Sequence, residues 1–553
     1  MHERLLENWL DSSNERSYQA PFCQILSHRG YTILHSTRHH PIEFGRDIVA
    51  LDADGTPCAF QLKGNPSGRL SLRQFRTVEI QLFELASHPL IFPGITTERR
   101  HRAALVTNGE VDEDVHLALR NLNQRLRRQR LPQIELITRG RLLAWAKDLG
   151  VDLWPSELEH VSILLELLVE NGRHLLPIGK FHNLVATSLG LNAPKRIPRP
   201  ILQRRIHSAG VLVGIALKNF SASDNHWAII SGWVLYASYV IAACERFDVS
   251  YKNNGAGAVN IALEAILMQL AQLCSEATER TSLIEPMALL DAPFYRWRVT
   301  LIVALLCVYW LWAEQVGWPV QNHKQLIERF VESRRGELDL WGEGAVPQRL
   351  AHFWYERRRD ATLQPEILLA SIVSRVVQSA GSMPPSEWPN PYFTFSDLFR
   401  HQLSTRLASV VASADDPLRE ETAKGGSFFA ASLLHMLVRT NLKTICQRLW
   451  PDISRLDFRE FVPEYPWQYC LWRSGGGQEL SVQPPLTKEW RALVEEARDV
   501  SGQGIPSSLR KEKYLLLLFV LLFPFRGTPS AIRFLDRKFN EQWMIPEPIG
   551  DSD

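Results

Sequence analysis

The stretch Ile42–Lys63, IEFGRDIVALDADGTPCAFQLK, decides how the first part of this chain folds. Ile48-Val49-Ala50-Leu51 is a short apolar, β-branched run and reads as a buried strand. Asp52-Ala53-Asp54-Gly55 is a turn, with Gly55 supplying the positive φ that a tight reversal needs. Cys58–Lys63 then returns as the second strand of a hairpin. Alternate strand residues share a face, so Gln61 and Lys63 point one way and Leu62 the other. Asp47 stands at the mouth of the first strand, across the hairpin from them. An acid, an amide oxygen and an ammonium are therefore expected together at one end of a small sheet.

That grouping suits phosphodiester hydrolysis. The reaction needs a hard cation held by oxygen ligands, usually Mg²⁺ on one or two carboxylates and several waters. Such an ion lowers the pKa of a coordinated water and neutralises charge growing on the phosphate. Asp47 is the expected principal ligand, for Mg²⁺ or alternatively Mn²⁺. Gln61 offers an amide oxygen to the ion or to a water on it. Lys63 is the expected catalytic ammonium, orienting the water or stabilising the pentacovalent phosphorus. Glu43, four residues before Asp47, offers a second carboxylate.

Asp47 followed by Gln61-Leu62-Lys63 after a hairpin resembles the PD-(D/E)xK nuclease superfamily, in its Mrr-like restriction endonuclease branch, where the glutamate of the ExK motif is often glutamine. The resemblance covers roughly the first 150 residues. The order of elements agrees with it: an opening helix ending at Gly30-Tyr31, the Asp47 strand, the Gln61/Lys63 strand, and a later strand ending Leu105-Val106-Thr107-Asn108. Ile134–Ile137, running into Arg141-Leu142-Leu143, matches the close of such domains. The resemblance implies an α/β restriction-endonuclease-like domain that cleaves DNA with a metal ion. It also implies a glutamate in the opening helix, and that place falls here on Gln19. Glu15, one turn earlier, or Glu43 then has to serve.

Two plainer readings stand beside this one. In many hairpins an Asp such as Asp47 only starts a strand and a Lys such as Lys63 ends one in solvent. A nuclease fold that has lost catalysis and merely binds nucleic acid would keep the same pattern.

The flanks are basic. Arg69, Arg73 and Arg76 follow the loop Gly64–Gly68, the last two spaced to share a helix face, where they could contact phosphates. Arg120, Arg125, Arg127, Arg128 and Arg130 crowd a second helix and make the most basic segment of the chain; Arg127 and Arg128 are candidate nucleic-acid contacts. A solvated helix face is the alternative for each. Of the histidines before the hairpin, His39 and His40 are candidates for touching substrate.

Composition is that of an ordinary globular chain: 553 residues, 45% hydrophobic, 22% charged, net charge +2. Seven scattered cysteines without a CxxC pair point to reduced thiols rather than a disulfide framework or a zinc site. The opening MHERLLENWLDSS has no apolar secretory core, so a cytoplasmic chain is expected. There is no GxxxxGK[ST] loop, GxSxG elbow or HExxH helix.

The first domain is expected over residues 1–155. It opens with a helix over 3–10 and a second over about 17–28, starting near Pro21. From about residue 156 the reading is almost wholly helical, with a break at Gly381–Tyr392 (GSMPPSEWPNPY) dividing a helical domain, 156–380, from a helical C-terminal subdomain, 381–553. Trp227–Cys244 and Val299–Ala313 are long uncharged runs, but a spanning helix needs roughly twenty apolar residues. Buried core is the favoured reading, and membrane attachment the alternative. The expected function is thus a Mg²⁺-dependent DNA endonuclease, with RNA as an alternative substrate. Its helical region would sense a signal, bind a partner protein or self-associate, as in bacterial restriction or antiphage defence proteins.

Overall fold

The structure is a computed structural model, and it describes residues 2–36, 45–64, 68–92, 95, 101–149, 158–193, 197–279, 292–318, 322–359, 365–380, 388–400, 425–473 and 476–540. Glu43, His39 and His40, the loop 65–67 and the stretch 150–157 lie outside the described residues. Contacts divide the chain into two compact units, Met1–Gln272 and Leu273–Asp553.

The first unit holds a mixed five-stranded sheet in the order β1-β2-β3-β5-β7. β1 (Thr32–Ser36), β2 (Ile48–Leu51) and β3 (Pro57–Lys63) form an antiparallel meander. The turn between β2 and β3 closes on Asp52, whose Oδ1 accepts the N–H groups of Asp54 and Thr56, while Gly55 takes a φ of 74°. Beyond it the strands run parallel: β5 (Arg102–Thr107) beside β3, and β7 (Ile134–Ile137) beside β5. A short parallel pair, β4 (Arg69–Leu70) and β6 (Glu110–Val111), lies on the connections. Parallel strands require crossover helices. These are α3 (Leu72–Ser87) and α4 (Glu113–Arg128), which bury Phe75, Val78, Leu82, Leu119 and Leu122 against Val49, Ala59 and Leu105.

The opposite face is covered by α1 (His2–Ser12), α2 (Glu15–His28) and α5 (Arg139–Lys147). Phe22 of α2 meets Phe60 of β3 edge-on and stacks along Trp145 of α5. The α2 N-terminus differs from expectation. Asn14 accepts the Ser17 N–H at 2.9 Å and caps the helix at Glu15, so Pro21 lies inside it. The Pro21 ring is seated on a neighbouring helix at Gly214, where a Cβ would stand 2.2 Å from the Pro21 Cγ.

That neighbour is one of three further helices, α6 (Leu158–Val169), α7 (Ile178–Leu189) and α8 (Arg199–Ala216). Gly210 and Gly214, one turn apart on α8, let the backbones of α2 and α8 approach. Between them the buried Gln24 bonds His207 and the Ala258 carbonyl. Burial lowers the His207 pKa to about 4, so the ring stays neutral in the interface.

The second unit is mostly helical. It also contains a small sheet, β10-β9-β8, that the helical reading of the sequence passed over. Its strands are β8 (Gly426–Ser427), β9 (Asp457–Pro463) and β10 (Gly477–Val482). Among the described residues of both units, three helices, His226–Arg246 of the first unit, Ala256–Glu279 and Phe294–Val316, are long and apolar enough to cross a membrane by length and composition. In the first, 94% of the apolar window is buried inside the protein.

Candidate active site

The site is assembled at the end of β3. Gly45 takes a φ of 69°, and its α-carbon presses on α3 so closely that a Cβ would stand 2.3 Å from the Gln81 carbonyl oxygen. Arg46, next along, is buried and donates from Nη2 to the carbonyls of His88 and Pro89, at 2.8 and 3.0 Å. These contacts hold the chain against α3 and the two residues that follow it just before Asp47, whose N–H then donates to the Phe60 carbonyl at 2.9 Å. The hairpin register thus sets Asp47 opposite Gln61.

Asp47 is buried, and its Oδ2 accepts two N–H groups of β3: Nε2 of Gln61 at 2.6 Å and the backbone N of Leu62 at 2.5 Å. Gln61 is buried too. Its Nε2 also reaches the Leu62 carbonyl, and its Oε1 is enclosed without a hydrogen-bond partner among the described residues. A buried acceptor left unpaired costs about 1–3 kcal/mol, so a cation or a water at that point would be favourable.

Lys63, two residues on, points its Nζ to Oε2 of Glu15 at 3.7 Å. Glu15 is held there from three sides. Asn14 caps the helix it starts. Asn108, buried at the end of β5, donates from Nδ2 to the carbonyls of Leu10 and Ser13, at 2.6 and 2.8 Å, and so ties the α1–α2 turn to the sheet. Gly64 lies so close that a Cβ there would stand 2.3 Å from the Glu15 nitrogen. Tyr18, one turn along α2, is buried between the two acids. Burial, then the charges of Glu15 and Asp47, push its phenol well above the ordinary range, so it stays neutral.

The structure therefore brings Asp47, Gln61, Lys63 and Glu15 into one place. Gln19, where the family pattern would have its glutamate, is instead buried and donates to Ser36 Oγ at 2.7 Å. Arg46, Tyr18 and Asn108 escaped the sequence reading, because each acts through contacts with residues distant in sequence.

The basic residues divide between the two ends of the sheet. Arg69 follows directly on the β3 exit and pairs with Asp112 at 3.6 Å; Arg73 is exposed on the first turn of α3, with Arg76 one turn further. Both segments start from the end of the sheet that carries Lys63. Arg127 and Arg128 are exposed on the last turn of α4, which returns the chain to the start of β7, so they lie toward the opposite end. Arg125 crosses to Glu79 of α3.

Among the described residues no three His, Cys, Asp or Glu side chains converge as a metal cluster. The oxygen donors at the site are the Asp47 carboxylate, the unpaired Gln61 Oε1 and the Glu15 carboxylate. An all-oxygen set with few carboxylates fits a hard divalent ion that keeps part of its water shell, and does not fit zinc. Compared with models of known protein families, with curated proteins and with solved structures, the chain matches none.

Proposed function

We propose that the first unit is a metal-dependent endonuclease of the PD-(D/E)xK kind, hydrolysing phosphodiester bonds of DNA at the Asp47–Gln61–Lys63 site. The observation that carries this reading is the convergence on one strand end of Asp47, the unpaired Gln61 Oε1 and a Lys63 ammonium held by Glu15. Asp47 and Gln61 would hold Mg²⁺ or Mn²⁺, with Glu15 as the second carboxylate. The ion, when bound, would neutralise charge on the scissile phosphate and acidify water beside it.

The chain's own groups do the rest. Two N–H donors fix the Asp47 carboxylate, so it does not have to reorganise when phosphate arrives. Lys63 offers its N–H donors to a phosphate oxygen or to the attacking water, and Glu15 limits where that ammonium can sit. Arg69 and Arg73, leaving the same end of the sheet, would steer the nucleic-acid backbone toward it.

We further propose that the protein works in the cytosol, as a restriction or antiphage defence effector whose helical region restrains the nuclease. Burial of His226–Arg246 among other helices supports a core role for that apolar helix over a lipid-facing one. Cell fractionation tests this point: recovery in the membrane pellet would favour attachment instead.

The test of the nuclease is cleavage of plasmid, linear DNA and RNA by purified protein, in Mg²⁺ or EDTA, for the wild type, Asp47→Ala and Lys63→Ala. Cutting that needs the metal and disappears in both variants is the expected result. Cutting that survives both substitutions would remove the site from these residues. DNA binding without cleavage by the wild type, unchanged in Asp47→Ala, would favour the non-catalytic scaffold.

A further inference from the structure

The most basic segment of the chain takes no part in the site at the end of β3. Residues 115–131 hold five arginines and no acid, and make up most of α4 and the turn after it. Val115, Leu119, Leu122 and Leu126 are buried, so Arg120, Gln124, Arg127 and Arg128, at i, i+4, i+7 and i+8, form the outward stripe of the helix. The stripe stands on a fixed support. Asn123 accepts the Ile134 N–H at 2.8 Å and donates to the Ile134 carbonyl at 3.0 Å, which ties α4 to the first residue of β7.

Acids of the neighbouring elements do not neutralise it. Glu79 of α3 is taken by Arg125. Asp52 and Glu135 are taken by Arg102 and Arg141. Glu113 and Asp114 sit on the first turn of α4, at its other end. Glu84 is five residues beyond Glu79, about 140° round α3 and so on its other flank. Arg120, Arg127, Arg128 and Arg130 are exposed, and none has an ion pair among the described residues. Set against Glu84 and Asp54 of the β2–β3 turn, these four still leave an excess of positive charge.

Arg130 points the same way. Its N–H donates to the Arg127 carbonyl and the Leu131 N–H to the Leu126 carbonyl, the pattern that closes a helix on a left-handed residue. The φ of Arg130 is 58°, at a position that glycine fills most readily. Backbone strain of this kind collects at functional positions. The helix dipole favours cations on the last turn, which accounts for Arg127 and Arg128. It accounts neither for Arg120, two turns earlier, nor for the strained backbone of Arg130.

Building on the nuclease reading, we propose that this face of α4 binds the phosphate backbone of duplex DNA at a stretch away from the scissile bond. Lys63 pairs with Thr107 at the end of β5, whereas α4 returns the chain to the other end of the sheet, the length of β5 or roughly 17 Å away. Arg127, Arg128 and Arg130 are therefore too far to touch a phosphate at Lys63, and they hold another part of the duplex. Their forked N–H donors match phosphate oxygens. An anionic membrane fits less well, because the apolar side of α4 is buried against the sheet and has nothing to insert.

The test is the binding of a labelled mixed-sequence DNA duplex to the full chain in EDTA, followed by fluorescence anisotropy over a range of salt concentrations. The slope of log K against log salt should fall by about 0.9 for each arginine removed, in Arg120→Gln and in the double variant Arg127→Gln, Arg128→Gln. Arg130→Gly should weaken binding and yet raise the melting temperature, since glycine relieves the backbone. A purely structural Arg130 would change the second quantity alone. Binding with this pattern in a chain that cuts no DNA with Mg²⁺ would keep the surface and remove the nuclease reading. The assignment falls if the wild type does not bind the duplex or if the arginine variants keep its salt slope. It falls equally if the chain binds phosphatidylserine vesicles, and not DNA, through the same arginines.

Discussion

Lys63 Nζ lies 3.7 Å from Glu15 Oε2, where the end of β3 meets the first turn of α2. Neither side chain is fully buried, so the pair adds little to stability by itself. What it does is place a carboxylate and an ammonium of opposite layers at one strand end, with Asp47 across the hairpin. The contact depends on Gly64, because any side chain there would collide with the α2 backbone.

From this follows the effect of Glu15→Gln. The substitution keeps the shape of the side chain but removes its charge, freeing Lys63 to swing and taking a carboxylate from the proposed metal site. Cleavage under single-turnover conditions should slow by about tenfold to a hundredfold, a range typical of groups supporting a metal site, while the melting temperature hardly moves. An unchanged rate would reduce Glu15 to a helix-start residue.

Gln61→Glu places a second carboxylate against Asp47, at the position where Nε2 now stands 2.6 Å from Oδ2. Two buried like charges repel, so the variant should melt lower than the wild type in EDTA. Added Mg²⁺ or Mn²⁺ should raise its melting temperature more than it raises that of the wild type. Equal responses of the two proteins would show that Gln61 does not face the metal.

Two glycine substitutions should behave oppositely. Gly214→Ala drives a methyl to within 2.2 Å of Pro21 Cγ and should cost about 1–3 kcal/mol by overpacking the α2–α8 contact. Gly257→Ala meets nothing within 4 Å and should be neutral or stabilising by up to about 1 kcal/mol. Denaturant midpoints measured on both proteins check the contrast.

Stability of the second unit should depend on pH through Glu343. This side chain is buried, accepts the Ser427 hydroxyl and, at 3.1 Å, the Phe428 N–H, yet burial outweighs those donors and raises its pKa to about 7. Below the ordinary carboxyl pKa of 4.5 both folded and unfolded chains are protonated, and Glu343 costs nothing. As pH rises the unfolded chain ionises first, so folding loses stability up to about pH 7, and the loss stays constant above. Glu343→Gln should therefore stabilise the protein by up to about 3 kcal/mol at pH 8 and by almost nothing at pH 4. Unfolding curves at the two pH values decide this, and equal effects at both would contradict it.

The hairpin was legible because its information is local. Ile48–Leu51 is an unbroken apolar run buried on both faces, Asp52 and Gly55 make the reversal, and the two-residue strand period then puts Asp47 opposite Gln61 without reference to any other element. β9 and β10 were passed over for a different reason. Every β9 residue is only partly buried and every β10 residue is exposed, so neither strand shows the sharp apolar alternation that marks a half-buried sheet. The turn glycines before β10 were the available signal. The start of α2 was missed because Pro21 suggested a later start, whereas the Asn14 cap and the room provided by Gly214 allow the helix to begin earlier.

By itself the sequence determined the local matters: a strand–turn–strand with an acid, an amide and a lysine at one end, two later strands and a helix after it, and a long, mostly helical remainder. Which second carboxylate joins Lys63 was a tertiary matter. Glu15 and Glu43 were both candidates by spacing, and Glu43 lies outside the described residues; Asn108 and Gly64 fix the α1–α2 turn against the sheet, so Glu15 reaches the strand end while Gln19 turns inward to Ser36. The reason is physical. Backbone propensity and side-chain alternation act over a few residues, whereas the meeting of Lys63 with Glu15 depends on how one layer packs on another, and only burial of the α2 face against the sheet decides that.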